Sequence, residues 1–320
     1  MNKENLKIVF LGTPEFAVAS LDRLVSGGYN VAAVVTMPDK RAGRGHGIFQ
    51  SPVKQYALAH NLPLLQPEKL KDEEFVSALR QIDADLFIVI AFRMLPEVVW
   101  RMPRLGTFNL HASLLPRYRG AAPINHAVMN GDSETGVTTF FLKHEIDTGD
   151  ILRQERISIS PDENVGSVHD RLMELGAELT VDTVEHILRG DLKPLPQESL
   201  AKDIEPSAAP KIFKETCRID WSRPARQLHN FVRGLSPYPA AWSELRSDTT
   251  PPSEIKIFAT AVADESTAGA PGTVIVDNGR MFVQCGRGRL EILSLRPAGK
   301  KQMDAGAYLR GARLSNPHFA

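Results

Sequence analysis

Cysteine is nearly absent from this 320-residue chain: only Cys217 and Cys285 occur, far apart and with no Cys or His at ligand spacing nearby. Neither a disulfide framework nor a zinc site is indicated, and both are read as plain thiols. Long apolar runs are missing as well. None approaches the roughly 20 residues needed to cross a bilayer, and the stretch from Met1 to Lys7 lacks the apolar centre of a signal peptide. A cytoplasmic protein with no membrane partner is therefore expected. Net charge is absent too, with 38 Lys and Arg against 38 Asp and Glu. That balance argues against a chain coated in positive charge for indiscriminate nucleic-acid binding, while leaving room for local basic patches. Glycine is scarce where nucleotide sites need it. The turn Gly12-Thr-Pro-Glu holds one glycine of the Gly-x-Gly-x-x-Gly fingerprint, and no Gly-x-x-x-x-Gly-Lys-Ser/Thr loop occurs, so a nucleotide cofactor is unsupported.

What remains is ordinary globular composition, 42% hydrophobic and 24% charged, in a chain long enough that two domains are the better expectation. The first half alternates strand-like and helix-like segments. Residues 7–11, 30–36 and 85–90 read as buried strands. Residues 14–26, 51–60 and 73–81 read as helices, the first capped by Thr13 with Pro14 at its first position and stopped at Gly27-Gly28. Strands separated by helices imply an α/β fold with a doubly wound, mostly parallel sheet. Helical spacing returns over 165–188. Four prolines in 194–210 then suit a connector. From Lys211 a short helix at 224–233 precedes five short β-rich segments between 241 and 296, punctuated by Gly, Pro and Asn, which predicts a small barrel. The expected division is a catalytic domain at 1–193, a linker at 194–210 and a barrel domain at 211–320.

The chemistry concentrates in two motifs, Asn109-Leu-His111-Ala-Ser113-Leu114-Leu115-Pro116-Arg and His144-Glu-Ile-Asp147-Thr-Gly149. Side chains alternate across a strand, so Asn109 and His111, at the end of Gly106-Thr-Phe-Asn-Leu-His, point to one face. The Pro- and Gly-punctuated residues that follow form a loop at the strand's carboxyl end, the usual ligand side of an open α/β sheet. Asp147 sits in a turn composition after the strand-like 136–142 and can hang over the same strand ends. A neutral amide and an imidazole can donate to the oxygen of a tetrahedral intermediate, while a carboxylate can orient the imidazole or accept a proton. Acyl-group transfer without a protein nucleophile is the matching chemistry. Two polar residues at a strand end are the plainer alternative.

On these residues the chain resembles the formyltetrahydrofolate-dependent formyltransferase family, in its tRNA-acting branch. An Asn-x-His followed by Ser-Leu-Leu-Pro and Arg-Gly is matched by Asn109, His111, Ser113 to Pro116, Arg119 and Gly120, and a later Asp-Thr-Gly by Asp147 to Gly149. The likeness runs along nearly the whole chain. It implies transfer of formyl from 10-formyltetrahydrofolate to the α-amine of methionine esterified to initiator tRNA, with no metal, and an OB-like barrel as the second domain. In that scheme Asn109 is the neutral oxyanion donor and His111 the proton-transfer or oxyanion-stabilising group. Asp147 orients His111 or accepts the amine proton.

Ser113, Leu114, Leu115 and Pro116 would meet the donor's flat heteroaromatic ring, and Phe92 and Met94, where the 85–90 strand leaves for a loop, would line the same pocket. For Phe92 and Met94 a core role is the alternative, and for the 113–123 loop a tight chain reversal. The basic, Gly-rich segment 37–47 reads as an irregular arm whose Arg41 and Arg44 engage tRNA phosphates, or else as a solvated loop. The family often has Pro where Arg41 stands. Lys300 and Lys301, in a stretch that resembles the family's terminal domain, are further phosphate candidates, as are Arg287, Arg289 and Arg296, provided they share a face with the Arg44 loop; a solubilising surface is the alternative. A monomer is expected. A small-amine formyltransferase on the same fold and a catalytically idle RNA-binding protein are the competing readings.

Overall fold

The computed structural model describes residues 2–41, 48–200 and 204–320, with the side chain of Arg41 left out. Two compact units emerge. One comprises 1–120, 136–157 and 170–208, the other 121–135, 158–169 and 209–320. The units thus interleave along the chain, and the second takes in 121–135 and 158–169 from upstream of the segment read as a connector.

The first unit is built on a seven-stranded sheet in the order Ile151–Ser158, Glu134–Phe141, Thr107–His111, Leu86–Ile90, Ile8–Gly12, Val31–Val35, Leu64–Leu65. Ile8–Gly12 and Leu86–Ile90 are buried at every position, as strands covered on both faces must be. Their near-unbroken apolar runs are the reason. Pairing is parallel from Leu64–Leu65 across to Thr107–His111, and antiparallel where Thr107–His111 meets Glu134–Phe141. Mostly parallel is therefore the correct description. The sequence order reverses between Ile8–Gly12 and Leu86–Ile90, and at such a switch point the loops leaving the carboxyl ends diverge and open a crevice.

Helices cover both faces. Val9, Leu11, Ala33, Val35, Phe87 and Val89 pack with Phe75, Val76 and Leu79 of the Glu73–Ile82 helix on one side. On the other, the Val165–Arg189 helix brings Gly176 against Leu110, while Thr183 and Thr139 share a hydrogen bond of 2.8 Å. Ser20 of the Glu15–Ser26 helix reaches Thr180 at 3.3 Å. Two details differ from expectation. Pro14, in extended conformation, is itself the capping position, and no side chain caps that helix. Within the arm read as irregular, Lys40 pairs with Phe49 and Arg41 with Ile48 in a short antiparallel ladder.

The second unit is a nearly closed antiparallel barrel, the small barrel anticipated. Its strands run in the order Val274–Asp277, Arg280–Gln284, Arg289–Pro297, Thr250–Asp264, Ala241–Ser247, His318–Phe319. A bridge between Thr273 and His318 joins the first strand of this order to the last, and Phe319 N donates to Gly272 O at 2.8 Å. Closure removes the exposed edges that an open sheet would present. The core gathers Trp221, Leu228, Val232, Ile255, Ile257, Met281, Val283, Leu290 and Ile292 around the Ala225–Leu235 helix. The Pro123–Met129 and Ala305–Gly311 helices were not foreseen.

His229 on the Ala225–Leu235 helix is buried, 3.1 Å from Thr260 Oγ1 and 3.3 Å from Asp162 Oδ1. Burial outweighs the Pro161 carbonyl and the Asp162 carboxylate and holds its pKa below the ordinary histidine value. A depressed folded-state pKa means that the unfolded chain binds the proton more readily. The stabilising contribution is present above about pH 6.5 and is lost as pH falls through the lowered value. Denaturation midpoints at pH 7.5 and pH 5 should therefore converge in His229→Gln relative to the parent. An identical pH dependence in the two proteins would contradict this.

Candidate active site

The site grows from the register of three strands. Ile90 pairs with Leu110 in parallel, and His111 with Thr138 in antiparallel. The loops that begin at Ala91 and Ala112 consequently start side by side at the carboxyl edge. Asn109 and His111 share a strand face, as the alternation requires. Asn109 is half-buried, and among the described residues its amide has no hydrogen-bond partner. His111 is buried, with Phe140 edge-on to its ring at 6.4 Å between centroids.

After His111 the chain folds back. Thr138 Oγ1 is the hub of that return. It donates to Ser113 O at 2.6 Å and accepts from Leu115 N at 3.2 Å and from Gln154 Nε2 at 2.9 Å. Ser113 Oγ donates to Arg117 O at 2.7 Å. Tyr118, at φ 60°, turns its carbonyl onto the histidine, and His111 Nε2 lies 2.8 Å from Tyr118 O. A carbonyl can only accept, so Nε2 must carry the proton. In the neutral ring the lone pair is then on Nδ1, and this is the nitrogen 3.9 Å from Asp147 Oδ2. That carboxylate oxygen accepts from Gly120 N at 2.8 Å.

Asp147 is held in the left-handed region at φ 55°. Around it, Lys143 pairs with Asp150 at 2.7 Å, and Thr148 Oγ1 donates to Glu145 O at 3.0 Å. A Cβ on Gly149 would stand 1.5 Å from the Phe141 carbonyl oxygen, so only glycine permits this close approach.

The pocket candidates divide. Ser113 is fully buried, and Leu115 packs with Phe140 and Ile151, so both side chains serve the loop's own frame. Leu114 is half-buried, close to the backbone at Gly136. Phe92 packs partly into the core that lies under the 91–95 loop, and Met94 is 71% exposed. Arg93, not singled out from sequence, ties that loop down. Its guanidinium donates to Pro67 O at 2.8 Å and Glu68 O at 2.9 Å and lies over the Phe92 ring, and burial lowers its pKa.

Gln197 was also missed. It is fully buried in a segment read as a connector, and it bonds the main chain at Asp147. Among the described residues, no group of three or more His, Cys, Asp or Glu is placed to hold a metal, and no helix is long and apolar enough to cross a membrane.

Of the phosphate candidates, Arg44 lies outside the described residues, and Arg41 is described only as backbone in its short strand. In the second unit Lys300 and Lys301 are exposed at the turn after Arg289–Pro297. Arg296 stacks over Phe258, and Arg289 is tied to Gln284.

Residues 6–184 match the formyl transferase family, and residues 211–313 match the formyl transferase C-terminal domain. A methionyl-tRNA formyltransferase of Bacteroides fragilis is 60% identical over 317 residues, 98% of this chain and 98% of the relative. Among solved structures, an N-formyltransferase from Helicobacter canadensis in complex with folinic acid and dTDP-3-aminofucose has a TM-score of 0.63 at 18% identity, over 90% of this chain and 98% of that one. HypX from Aquifex aeolicus in complex with tetrahydrofolic acid has a TM-score of 0.61 at 20% identity, over 94% of this chain and 46% of that one. At such identities the two structures establish shared fold.

The packing at Gly149 carries its own test. Gly149→Ala should lower unfolding stability by about 1–3 kcal/mol through overpacking and speed hydrogen exchange in residues 143–149. An unchanged denaturation midpoint together with unchanged exchange would refute the close contact with Phe141.

Proposed function

Because the chain belongs to the formyl transferase family, we propose that it moves a formyl group from 10-formyltetrahydrofolate to the α-amine of methionine esterified to initiator tRNA. The identity of the acceptor rests on the 60% identical relative, which matches over 98% of each chain. The observation that carries the chemistry is the His111 ring. One nitrogen is committed to a backbone carbonyl and the other is turned toward a carboxylate.

The reaction forms a bond between the amine nitrogen and the formyl carbon, passes through a tetrahedral oxyanion and breaks the bond from that carbon to the folate nitrogen. One proton leaves the amine and one is gained by the folate nitrogen. His111 Nδ1 takes the amine proton and returns it to the leaving nitrogen, and the Asp147 carboxylate stabilises the imidazolium that exists in between. The amide of Asn109, without a hydrogen-bond partner among the described residues, donates to the oxyanion. The formyl donor is held between the 89–95 segment, with Phe92 and Met94, and the Ser113–Pro116 turn. Leu114 is the apolar side chain left partly open there, while Ser113, Leu115 and Pro116 keep the turn in shape.

Acceptor recognition falls to phosphate contacts from the domain beginning near Lys211, including Lys300 and Lys301, and from Arg41 and Arg44 of the arm. A chain of zero net charge needs such contacts to be local.

Formyl transfer measured against methionyl-tRNA, free methionine and small-amine acceptors tests the reading, with rapid turnover expected on the charged tRNA alone. Preference for a small amine would replace it. His111→Ala should lower turnover by about two to four orders of magnitude in a folded protein, and near-parental turnover would remove His111 from the chemistry. Arg44→Ala should weaken tRNA binding and flatten its salt dependence while folate affinity holds. An unchanged salt slope would leave Arg44 without a phosphate partner.

A further inference from the structure

The segment that leaves the first unit's last long helix does more than connect. Leu195 pairs with Ile151 in both directions, N to O at 2.8 Å each way, which adds a short piece of backbone beside the sheet. Two residues later Gln197 is inserted with no exposed surface. Its amide uses its full bonding capacity. Nε2 donates to Asp147 O at 2.9 Å and to Gly149 O at 2.8 Å, while Oε1 accepts from Arg119 Nε at 3.2 Å and Nη2 at 2.7 Å. Carbonyls only accept and a guanidinium only donates, so the amide orientation is unambiguous. The Arg119 charge draws electron density from the amide and strengthens the two N–H bonds on its far side.

The clamped residues are the ones whose backbone is least free to relax. Asp147 is left-handed and Gly149 is pressed against Phe141. Arg119 adjoins Gly120, whose N–H holds the Asp147 carboxylate. Both the backbone and the side chain of Asp147 are therefore fixed from the same two neighbours in sequence, Arg119 through Gln197 and Gly120 directly.

We infer that Gln197 is a positioning residue: with Arg119 it holds Asp147 at its distance from His111, so a segment with the composition of a connector, which belongs to the first unit, completes the candidate site. This rests on Asp147 being the carboxylate that serves His111 in formyl transfer.

The test is steady-state formylation of methionyl-tRNA by the full chain carrying Gln197→Met, Gln197→Glu, Asp147→Asn, and each Gln197 change combined with Asp147→Asn. Gln197→Glu keeps a partner for Arg119 but cannot donate to the two carbonyls. Both single Gln197 variants should lose up to about 10²-fold in kcat with KM for the tRNA little changed. In the Asp147→Asn background the same changes should cost almost nothing more, because a group acting through Asp147 has nothing left to act on. Losses that multiply, or a Gln197→Glu enzyme as fast as the parent, would overturn the positioning role. A fully active Asp147→Asn enzyme would instead overturn the role of Asp147 itself, and this inference with it. Should the Gln197 variants fold poorly, Arg119→Met, at a half-buried position, decides by the same cycle. Its loss in kcat should vanish in the Asp147→Asn background, and an additive loss there would overturn the inference.

Discussion

The hydrogen bond from His111 Nε2 to the Tyr118 carbonyl is the constraint on which the candidate site depends. Without it the imidazole can take either tautomer and rotate about its own bonds. With it, one nitrogen is assigned and the other direction is set. Making that bond requires the chain to reverse within seven residues, and the reversal is fastened by Thr138, whose hydroxyl engages Ser113, Leu115 and Gln154. The same reversal delivers Gly120 N to the Asp147 carboxylate. Histidine tautomer and carboxylate placement are thus two consequences of one loop conformation. The Thr107–His111 strand beneath supplies the rigid base, with cross-strand partners on both sides.

Much of this was legible in the residues. Leu86–Ile90 and Ile8–Gly12 are apolar throughout because both faces of the sheet are covered, and that pattern identifies them without any structure. Asn109 and His111 fall on one face by strand alternation alone. The punctuated residues after His111 read as a loop at the strand's carboxyl end, and the chain does turn there. Strand Ile151–Ser158 was harder to see, since Arg153, Gln154, Glu155 and Arg156 fill its middle and only its start is buried. Tyr118 carries no sequence mark of its left-handed backbone, because that conformation is imposed by tertiary packing.

Gln197 was invisible for a related reason. A side-chain amide bonding to main-chain carbonyls 50 residues away leaves no spacing in the sequence, and the surrounding prolines have the composition of a connector. The interleaving of the two compact units was equally hidden: residues 121–135 and 158–169 group with the barrel although they lie far upstream of it in the chain. Contact grouping follows where a segment packs, whereas hydropathy follows only what it is made of. Sequence boundaries and physical units therefore differ here.

The His111–Tyr118 constraint is decided by the protonation pattern of the His111 ring, read from its two ring-nitrogen chemical shifts in protein labelled with nitrogen-15 at histidine, at a pH where the ring is neutral. Comparison with His111→Asn assigns the signals. The expected result is a protonated Nε2, shielded from exchange by its bond to the Tyr118 carbonyl, and an unprotonated Nδ1 facing Asp147. A proton resident on Nδ1 with Nε2 bare would contradict it, since the Tyr118 carbonyl would then face a lone pair and the nitrogen turned toward Asp147 would be unable to accept a proton.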